Sequence, residues 1–547
     1  MNATDNWSYD HTSGRGETLQ RIFSDHAATA PDVPWCETGG KVYTYGDFDR
    51  MANRVAHGLT ARGITRGDAV AVFMSNRPEF FYGMFGLHRA GAVYVPCSTN
   101  YSPEELVYQL NHVEAKAVFV DETTFPQLAA VRAQIPGIAL CVIHGADDAE
   151  GTVTLDGLVA GQSDEWPDSA SQLTADDLAL VMYTSGTTAR PKGVMLSHGG
   201  MLTAAETCSR VFGWSPGERF LSYFALYHSN GGLIALGPAI FSRSTMVMVP
   251  SFSASRFVDM LRAHRISYCN LNSSHVRMLL NQPPTPHDAD HAVRRMMQGL
   301  TLEPHEILEF EQRFGTYLCP TYGLTESLGI CVAGGPTGNR RVGSAGRVLR
   351  GYSLQIVDDE GRPLPPGEPG EIVVTCDGPH GRALGYLKDE ENTAATFVGD
   401  VVHSGDVGRI DDDGFLWFVE RKKDMIKRSG FNVAAAEVER ILVAHEGVAD
   451  AAVVGTPDLM RDEAIVAFVV RTPGSTVGRN ELFDACDDAL SDYKVPQVIE
   501  FRDELPRNFL GKIERRRLRD DALRYRIDSK KRLPVGHHVR DPEPTGA

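Results

Sequence analysis

Positive charge is scarce in this chain. Its 547 residues carry 54 Lys+Arg against 71 Asp+Glu, a net charge of −17. That deficit argues against nucleic acid or an anionic membrane as the main partner, because both are held through basic patches. Long apolar runs are also missing, and none reaches the ~18 residues of a membrane helix. The opening stretch, MNATDNWSYDHTSGRGETLQ, has no apolar core and so does not read as a secretory signal. Nine cysteines are scattered from Cys36 to Cys486 without a CxxC pair. This excludes a disulfide frame and a cysteine zinc site, and predicts reduced thiols in a cytoplasm. The Walker sequence GxxxxGK[ST] is absent, and no internal repeat is visible.

What is present is an ordinary globular composition, 42% hydrophobic and 23% charged. At roughly 150 residues per domain, the length calls for more than one domain. Short β-branched runs recur at 70–74, 93–95, 118–120, 178–183 and 246–249. Each is bounded by turn residues, as buried strands are. A helix is predicted from Pro78, with Phe81, Met84, Phe85 and His88 at helical spacing. Such alternation predicts an α/β fold, with parallel-rich sheets flanked by helices. Past residue 340, Gly and Pro become dense in GRPLPPGEPGE (361–371), and short strands follow at 371–375 and 415–419, a β-rich subdomain. From Val433 the order is helix (434–444), strand (448–454), strand (464–470), helix (481–490), a small α+β domain. The expected bounds are an N-terminal domain over 1–420, a charged junction over 421–427, a C-terminal domain over 428–527 and a polar tail over 528–547.

The densest chemical signal is YTSGTTARPKGVMLSH, residues 183–198. A strand runs into a loop with the hydroxyls of Thr184, Ser185, Thr187 and Thr188, the bare backbone of Gly186, and the cation Lys192. Backbone N–H groups, hydroxyls and one ammonium suit a polyphosphate. A bare TSGTT run would be a solvated turn; the RPKGV that follows makes the signal specific.

Together with YGLTES (322–327), SGDVGRIDDDGFLWFVER (404–421), KKDMIKRSGFNVAAAEVE (422–439) and LPRNFLGKIERRRLR (505–519), this segment resembles the adenylate-forming superfamily: acyl-CoA synthetases, peptide-synthetase adenylation domains and beetle luciferases. The motifs stand in the family's order over residues 15–525. Among acyl-CoA synthetases the text is most similar to bacterial carnitine/crotonobetaine-CoA ligases, and also to CoA ligases of bacterial diterpenoid-antibiotic pathways. The resemblance implies ATP, CoA and Mg²⁺ as cofactors and a small-molecule carboxylic acid as substrate. It implies a mobile C-terminal domain that serves two half-reactions in turn.

By this resemblance Thr184, Ser185, Gly186, Thr187, Thr188 and Lys192 hold the phosphates. Thr321, Tyr322, Gly323 and Thr325 form the adenine segment, and Glu326 holds Mg²⁺, a hard cation that takes oxygen ligands. Asp406 and Arg421 bind ribose, Lys423 is the hinge, and Lys512 bridges carboxylate and α-phosphate. Lys427 and Gly430 serve the thioester step, and His228 gates the carboxylate site. Tyr227, Ser229, Asn230, Gly299 and Leu300 line the acid pocket, and the Leu, Met and small residues of the candidate segments 227–232, 273–278, 300–302 and 328–331 imply an apolar body. The segment ALYHSNGG has no acid to hold an α-ammonium, which argues against an amino-acid substrate. A homo-oligomer is compatible with the sequence. No carrier domain follows residue 525, which favours free CoA over a carrier-protein pantetheine.

Two positions depart from the family's pattern, both on the ATP side. Ala189 stands where Gly is usual, and QGLTL (298–302) replaces a Gly-rich turn. If the first needs positive φ, Ala costs roughly 1–2 kcal/mol, about a factor of ten in rate. A chain with adenylation impaired would thioesterify an acyl-AMP supplied by a companion adenylating enzyme. Ala189→Gly is therefore expected to raise ATP–pyrophosphate exchange about tenfold. Unchanged exchange with an acid whose adenylate is consumed would show that the loop accommodates the methyl.

Overall fold

A computed structural model describes residues 18–146, 151–184, 191–299, 302–335, 340–428, 431–458, 462–507 and 512–525. They divide into two compact units. The first gathers the chain up to Gln355 with 373–404 and 410–417; the second gathers 356–372, 405–409 and the chain from Phe418. The β-rich stretch past residue 340 contributes strands to both.

In the first unit, one sheet has eight strands. Their order is Gly385–Tyr386, Lys192–Ser197, Leu178–Thr184, Val93–Pro96, Ala69–Phe73, Ala117–Asp121, Leu140–His144 and Val153–Thr154. Pairing is parallel from Leu178–Thr184 onward and antiparallel at the other end. The strands Ala69–Phe73, Val93–Pro96 and Ala117–Asp121 are buried at every position. Burial at every position is why they read as unbroken apolar runs rather than alternating ones.

A second sheet has nine strands. Seven of them, Tyr317–Tyr322, Arg295–Gly299, Tyr268–Leu271, Arg219–Ser222, Thr245–Met248, Pro34–Thr38 and Lys41–Thr44, follow one another, and two short strands extend the first edge. From Tyr317–Tyr322 to Pro34–Thr38 all pairs are parallel. The carboxyl ends of these strands therefore lie along one side, where α/β sheets bind ligands. Segments 225–232, 299 and 323–329 all leave from that side.

The second unit pairs Phe431–Val433, Ile426–Arg428, Asp462–Arg471, Val448–Asp458 and Val498–Arg502. Its two long strands alternate. Ala451, Val453, Ile465 and Ala467 pack with Val438, Leu442 and Leu482. Ala452, Val454, Val466 and Phe468 pack with Leu518 and Ala522. This is the period of two that sends successive side chains to opposite faces. The expected helix and two strands are found at Ala435–Val443, Val448–Asp458 and Asp462–Arg471, and the second helix at Arg479–Ala489. A further strand, Val498–Arg502, and helix, Arg515–Ala522, complete the unit.

All nine cysteines are free and buried. Burial pushes the thiol up to about 11 at Cys141 and to about 12 at Cys486.

Candidate active site

The phosphate-loop segment is the connection of a hairpin. Leu178–Thr184 runs antiparallel to Lys192–Ser197, with Thr184 opposite Lys192 and Tyr183 opposite Gly193. Both roots of the loop are braced by the helix Pro103–His112. His112 Nδ1 and the Tyr183 hydroxyl share a 2.7 Å hydrogen bond. The Tyr108 hydroxyl donates to the Pro191 carbonyl at 3.3 Å, and the Tyr108 and His112 rings stack at 5.2 Å. Ser185, Gly186, Thr187, Thr188 and Ala189 lie outside the described residues.

Lys192 points to the strand beyond its own. Its ammonium donates to Asn392 Oδ1 at 2.6 Å and sits 4.9 Å from the Tyr386 ring centre. Asn392 Nδ2 in turn donates to Asp389 at 2.9 Å. Tyr386 also reaches Glu326: its hydroxyl donates to Glu326 Oε1 at 2.8 Å. Lys192 and Glu326, 134 residues apart in numbering, thus meet on one tyrosine.

Glu326 is presented by a tight turn after Tyr317–Tyr322. The Gly329 N–H donates to the Leu324 carbonyl at 2.7 Å, and the Leu324 N–H to Ser327 Oγ at 3.1 Å. A Cβ on Gly323 would lie 1.5 Å from the Gly329 carbonyl oxygen, so no side chain fits there. Leu328 (φ 63°) and Gly329 (φ 101°) both take left-handed backbone. Tyr322 and Thr321 are buried, and Thr321 Oγ1 donates to the Gln298 carbonyl at 3.4 Å.

A single carboxylate suits Mg²⁺ bound with ATP, because that ion takes one or two protein oxygens and fills its octahedron with phosphates and water. Glu326 Oε2 has no hydrogen-bond partner among the described residues, so one oxygen stays open toward a cation. No cluster of three or more His, Cys, Asp or Glu side chains suited to a metal occurs among the described residues. A single carboxylate of this kind fits a Mg²⁺ that arrives with the nucleotide.

The segment carrying His228 enters a π-helical turn at Asn230–Ala235, a form that concentrates at functional sites. A Cβ on Gly231 or Gly232 would lie 2.4 Å from the Ala225 or Leu226 carbonyl oxygen. Asn76 brackets the approach, donating to the Phe224 carbonyl at 2.8 Å and accepting from the Leu226 N–H at 3.0 Å. The Asn230 N–H donates to His228 Nδ1 at 3.2 Å. Nδ1 is therefore an acceptor, and the neutral ring carries its proton on Nε2. Asn100 Nδ2 donates to the Tyr227 hydroxyl at 3.3 Å, and Asn270 Nδ2 to Asn230 Oδ1 at 2.7 Å. These contacts tie Tyr227 and Asn230 to neighbouring amides. Ser229 is half-buried, and Gly299 faces open space where a Cβ would point. Leu300 lies outside the described residues.

In the second unit, Asp406 is buried and its Oδ1 lies 3.5 Å from Arg421 Nε. Lys512 is within electrostatic reach of both. Crowding around its amine lowers its pKa, Arg421 adds to this, and Asp406 opposes it, although the residue as a whole remains exposed. Lys423 is lowered to about 8, by burial first and with Asp424 opposing. Asp424 pairs with Arg519 at 2.5 Å, and Glu420 Oε2 accepts from the Ala436 N–H at 2.8 Å. Lys427 is exposed on Ile426–Arg428, and its backbone N–H donates to Glu463 at 2.7 Å. Gly430 lies outside the described residues.

Three clusters result: Lys192 with Glu326, His228 with Asn230, and Asp406 with Arg421 and Lys512. Tyr386, Asn392, Tyr108, His112 and Asn270 join them without having been singled out by sequence. The dipeptide Gly385-Tyr386 gives no local cue to its partners.

The AMP-binding enzyme profile matches residues 23–387, and that of the AMP-binding enzyme C-terminal domain matches residues 437–512. The crotonobetaine/carnitine–CoA ligase of Salmonella enteritidis PT4 is 32% identical over 514 residues, which are 92% of this chain and 99% of that protein. ATP-bound MatB from Rhodopseudomonas palustris superposes with a TM-score of 0.83 at 29% identity, covering 93% of this chain and 99% of that one. The o-succinylbenzoate CoA synthetase MenE of Bacillus subtilis, in complex with its acyl-adenylate intermediate, gives 0.81 at 26% identity, covering 92% and 98%. The chain belongs to the AMP-binding enzyme family, among the AMP-forming acid–CoA ligases that work through an acyl-adenylate. No described helix is long and apolar enough to cross a membrane.

The Gly323 contact yields a direct test. Gly323→Ala must open the turn that carries Glu326, an overpacking worth about 1–3 kcal/mol or more. ATP affinity measured by calorimetry should fall at least tenfold. Wild-type affinity would show that the turn relaxes without moving the site.

Proposed function

We propose that this chain activates a small-molecule carboxylic acid as its adenylate, using ATP with Mg²⁺, and then passes the acyl group to the thiol of free CoA. The observation that carries the first step is the convergence of Lys192, at the root of the Thr184–Lys192 loop, and Glu326 on Tyr386. One binds phosphate as a cation; the other offers an open oxygen. Mg²⁺, when held there with ATP, would neutralise charge on the phosphates.

The chain's own residues supply the rest. Asp406 accepts from ribose hydroxyls and Arg421 donates to the same sugar. Lys512 stands with them, where negative charge grows at the α-phosphate. His228, its Nδ1 held by the Asn230 N–H, orients the acid. The absence of an acidic residue in 225–232 supports an acid without an α-ammonium. For the second step, Lys427 and Gly430 would line the path of pantetheine. We place the hinge at Lys423, between an N-terminal domain (1–420) and a C-terminal domain (428–527).

Ala189 supports one competing reading, an enzyme that only thioesterifies acyl-AMP delivered by a companion. The two half-reactions assayed apart decide between them. ATP–pyrophosphate exchange by the wild type supports the full ligase, and consumption of supplied acyl-AMP without exchange supports the competitor.

Lys512→Ala is expected to lower ATP–pyrophosphate exchange by about 10²–10³, the range for losing one preorganised charge-stabilising donor. Thioester formation from supplied acyl-AMP should stay within about twofold. Equal loss in both would refute the division of labour.

Lys423→Pro fixes φ and removes a backbone donor. One half-reaction should collapse while the other persists. Two near-wild-type rates would move the hinge elsewhere.

A further inference from the structure

Tyr386 is reached by no motif that singles out the other site residues, yet the fold positions it tightly. Gly385–Tyr386 pairs antiparallel with Lys192–Ser197, Tyr386 opposite Val194 and Gly385 opposite Met195. The Leu387 N–H donates to the Gly193 carbonyl and the Leu384 N–H to the Met195 carbonyl, both at 2.8 Å. The same segment is tied to the other side of the site, because the Ala383 N–H donates to the Glu326 carbonyl at 2.9 Å. Gly385 has φ 140°, and a Cβ there would meet Thr393 Cγ2 at 2.7 Å. The Tyr386 N–H donates to Thr393 Oγ1 at 2.9 Å. The ring is buried.

Two contacts follow from this placement. The hydroxyl donates to Glu326 Oε1, and Oε2 has no hydrogen-bond partner among the described residues. The ring sits 4.9 Å from the Lys192 ammonium, inside the ~6 Å range of a cation–π contact.

We infer that Tyr386 is a positioning residue that orients the Glu326 carboxylate toward the metal of Mg·ATP and the Lys192 ammonium toward its phosphates. It acts on both through opposite parts of one side chain: the hydroxyl sets the carboxylate, and the ring face sets the cation. This rests on Glu326 being the metal-bearing carboxylate. Partners of this kind orient a ligand without touching the ion, and losing one typically costs 10–100-fold in metal affinity.

The test uses the full chain saturated with α,β-methylene-ATP, whose α–β bridge cannot be broken to transfer AMP to an acid, and Mg²⁺ titrated by calorimetry. Tyr386→Phe keeps the ring and its burial and removes only the hydroxyl, so the fold is preserved; a thermal melt confirms it. Mg²⁺ affinity should fall about tenfold or more. Affinity for the analogue without metal should stay at the wild-type value. Tyr386→Leu removes the ring as well, and should also weaken metal-free analogue binding two- to fivefold. Glu326→Gln separates the inference from its premise. If Glu326→Gln weakens Mg²⁺ but Tyr386→Phe binds it as well as or better than wild type, the positioning role is overturned. If Glu326→Gln itself binds Mg²⁺ normally, the premise is wrong and the inference goes with it.

Discussion

The nucleotide side of this molecule depends on one strand register, the pairing that sets Thr184 opposite Lys192. Side chains alternate along a strand, so a slip of one residue would send Lys192 to the other face and away from Tyr386. Each side of the hairpin resists that slip. On one, Tyr108 and His112 grip the two roots of the loop. On the other, Gly385–Tyr386 adds a further strand that carries the Glu326 contact. A phosphate loop has little apolar surface of its own, and its conformation must be imposed by rigid neighbours.

The charge distribution shows how a protein of net charge −17 can take an anionic cofactor. At the root of the Thr184–Lys192 hairpin the cation is held by neutral partners. Lys192 donates to an amide and lies against an aromatic face, with the Asp389 carboxylate reached through that amide. Elsewhere the cations are closely paired, as where Asp424 and Glu439 bind Arg519 and Arg515. Paired charges of that kind fix structure and leave little field for a ligand.

The sequence disclosed what is local. Strands such as Ala69–Phe73 and Ala117–Asp121 appear within a residue of their apolar runs, because burial on both faces leaves no alternation to misread. The small domain's first helix and two long strands were legible for a similar reason. Its last helix, RRRLRDDA, was not: Leu518 and Ala522 alone are buried, too few for a stripe. The candidate site divides in the same way. Lys192, Glu326, Asp406 and Lys512 sit in motifs dense enough to stand out. Tyr386 and Asn270 act through partners 60 and 40 residues away, and no window of sequence contains both ends. The left-handed Leu328 was also invisible, since nothing in Leu-Gly announces which residue turns.

The burial of every cysteine has a practical consequence for following the chemistry. A thiol reacts through its thiolate, and these nine are all buried, with thiols such as those of Cys141 and Cys486 pushed up by burial as well. The thiol of CoA is then the sole nucleophilic sulfur in a native assay mixture. A disulfide dye that reads free thiols will report CoA consumption continuously, with no rising background from the enzyme until it unfolds. The same silence means that one cysteine introduced at an exposed position can carry a label to a single known place, so that distances can be followed during turnover on an otherwise unaltered protein.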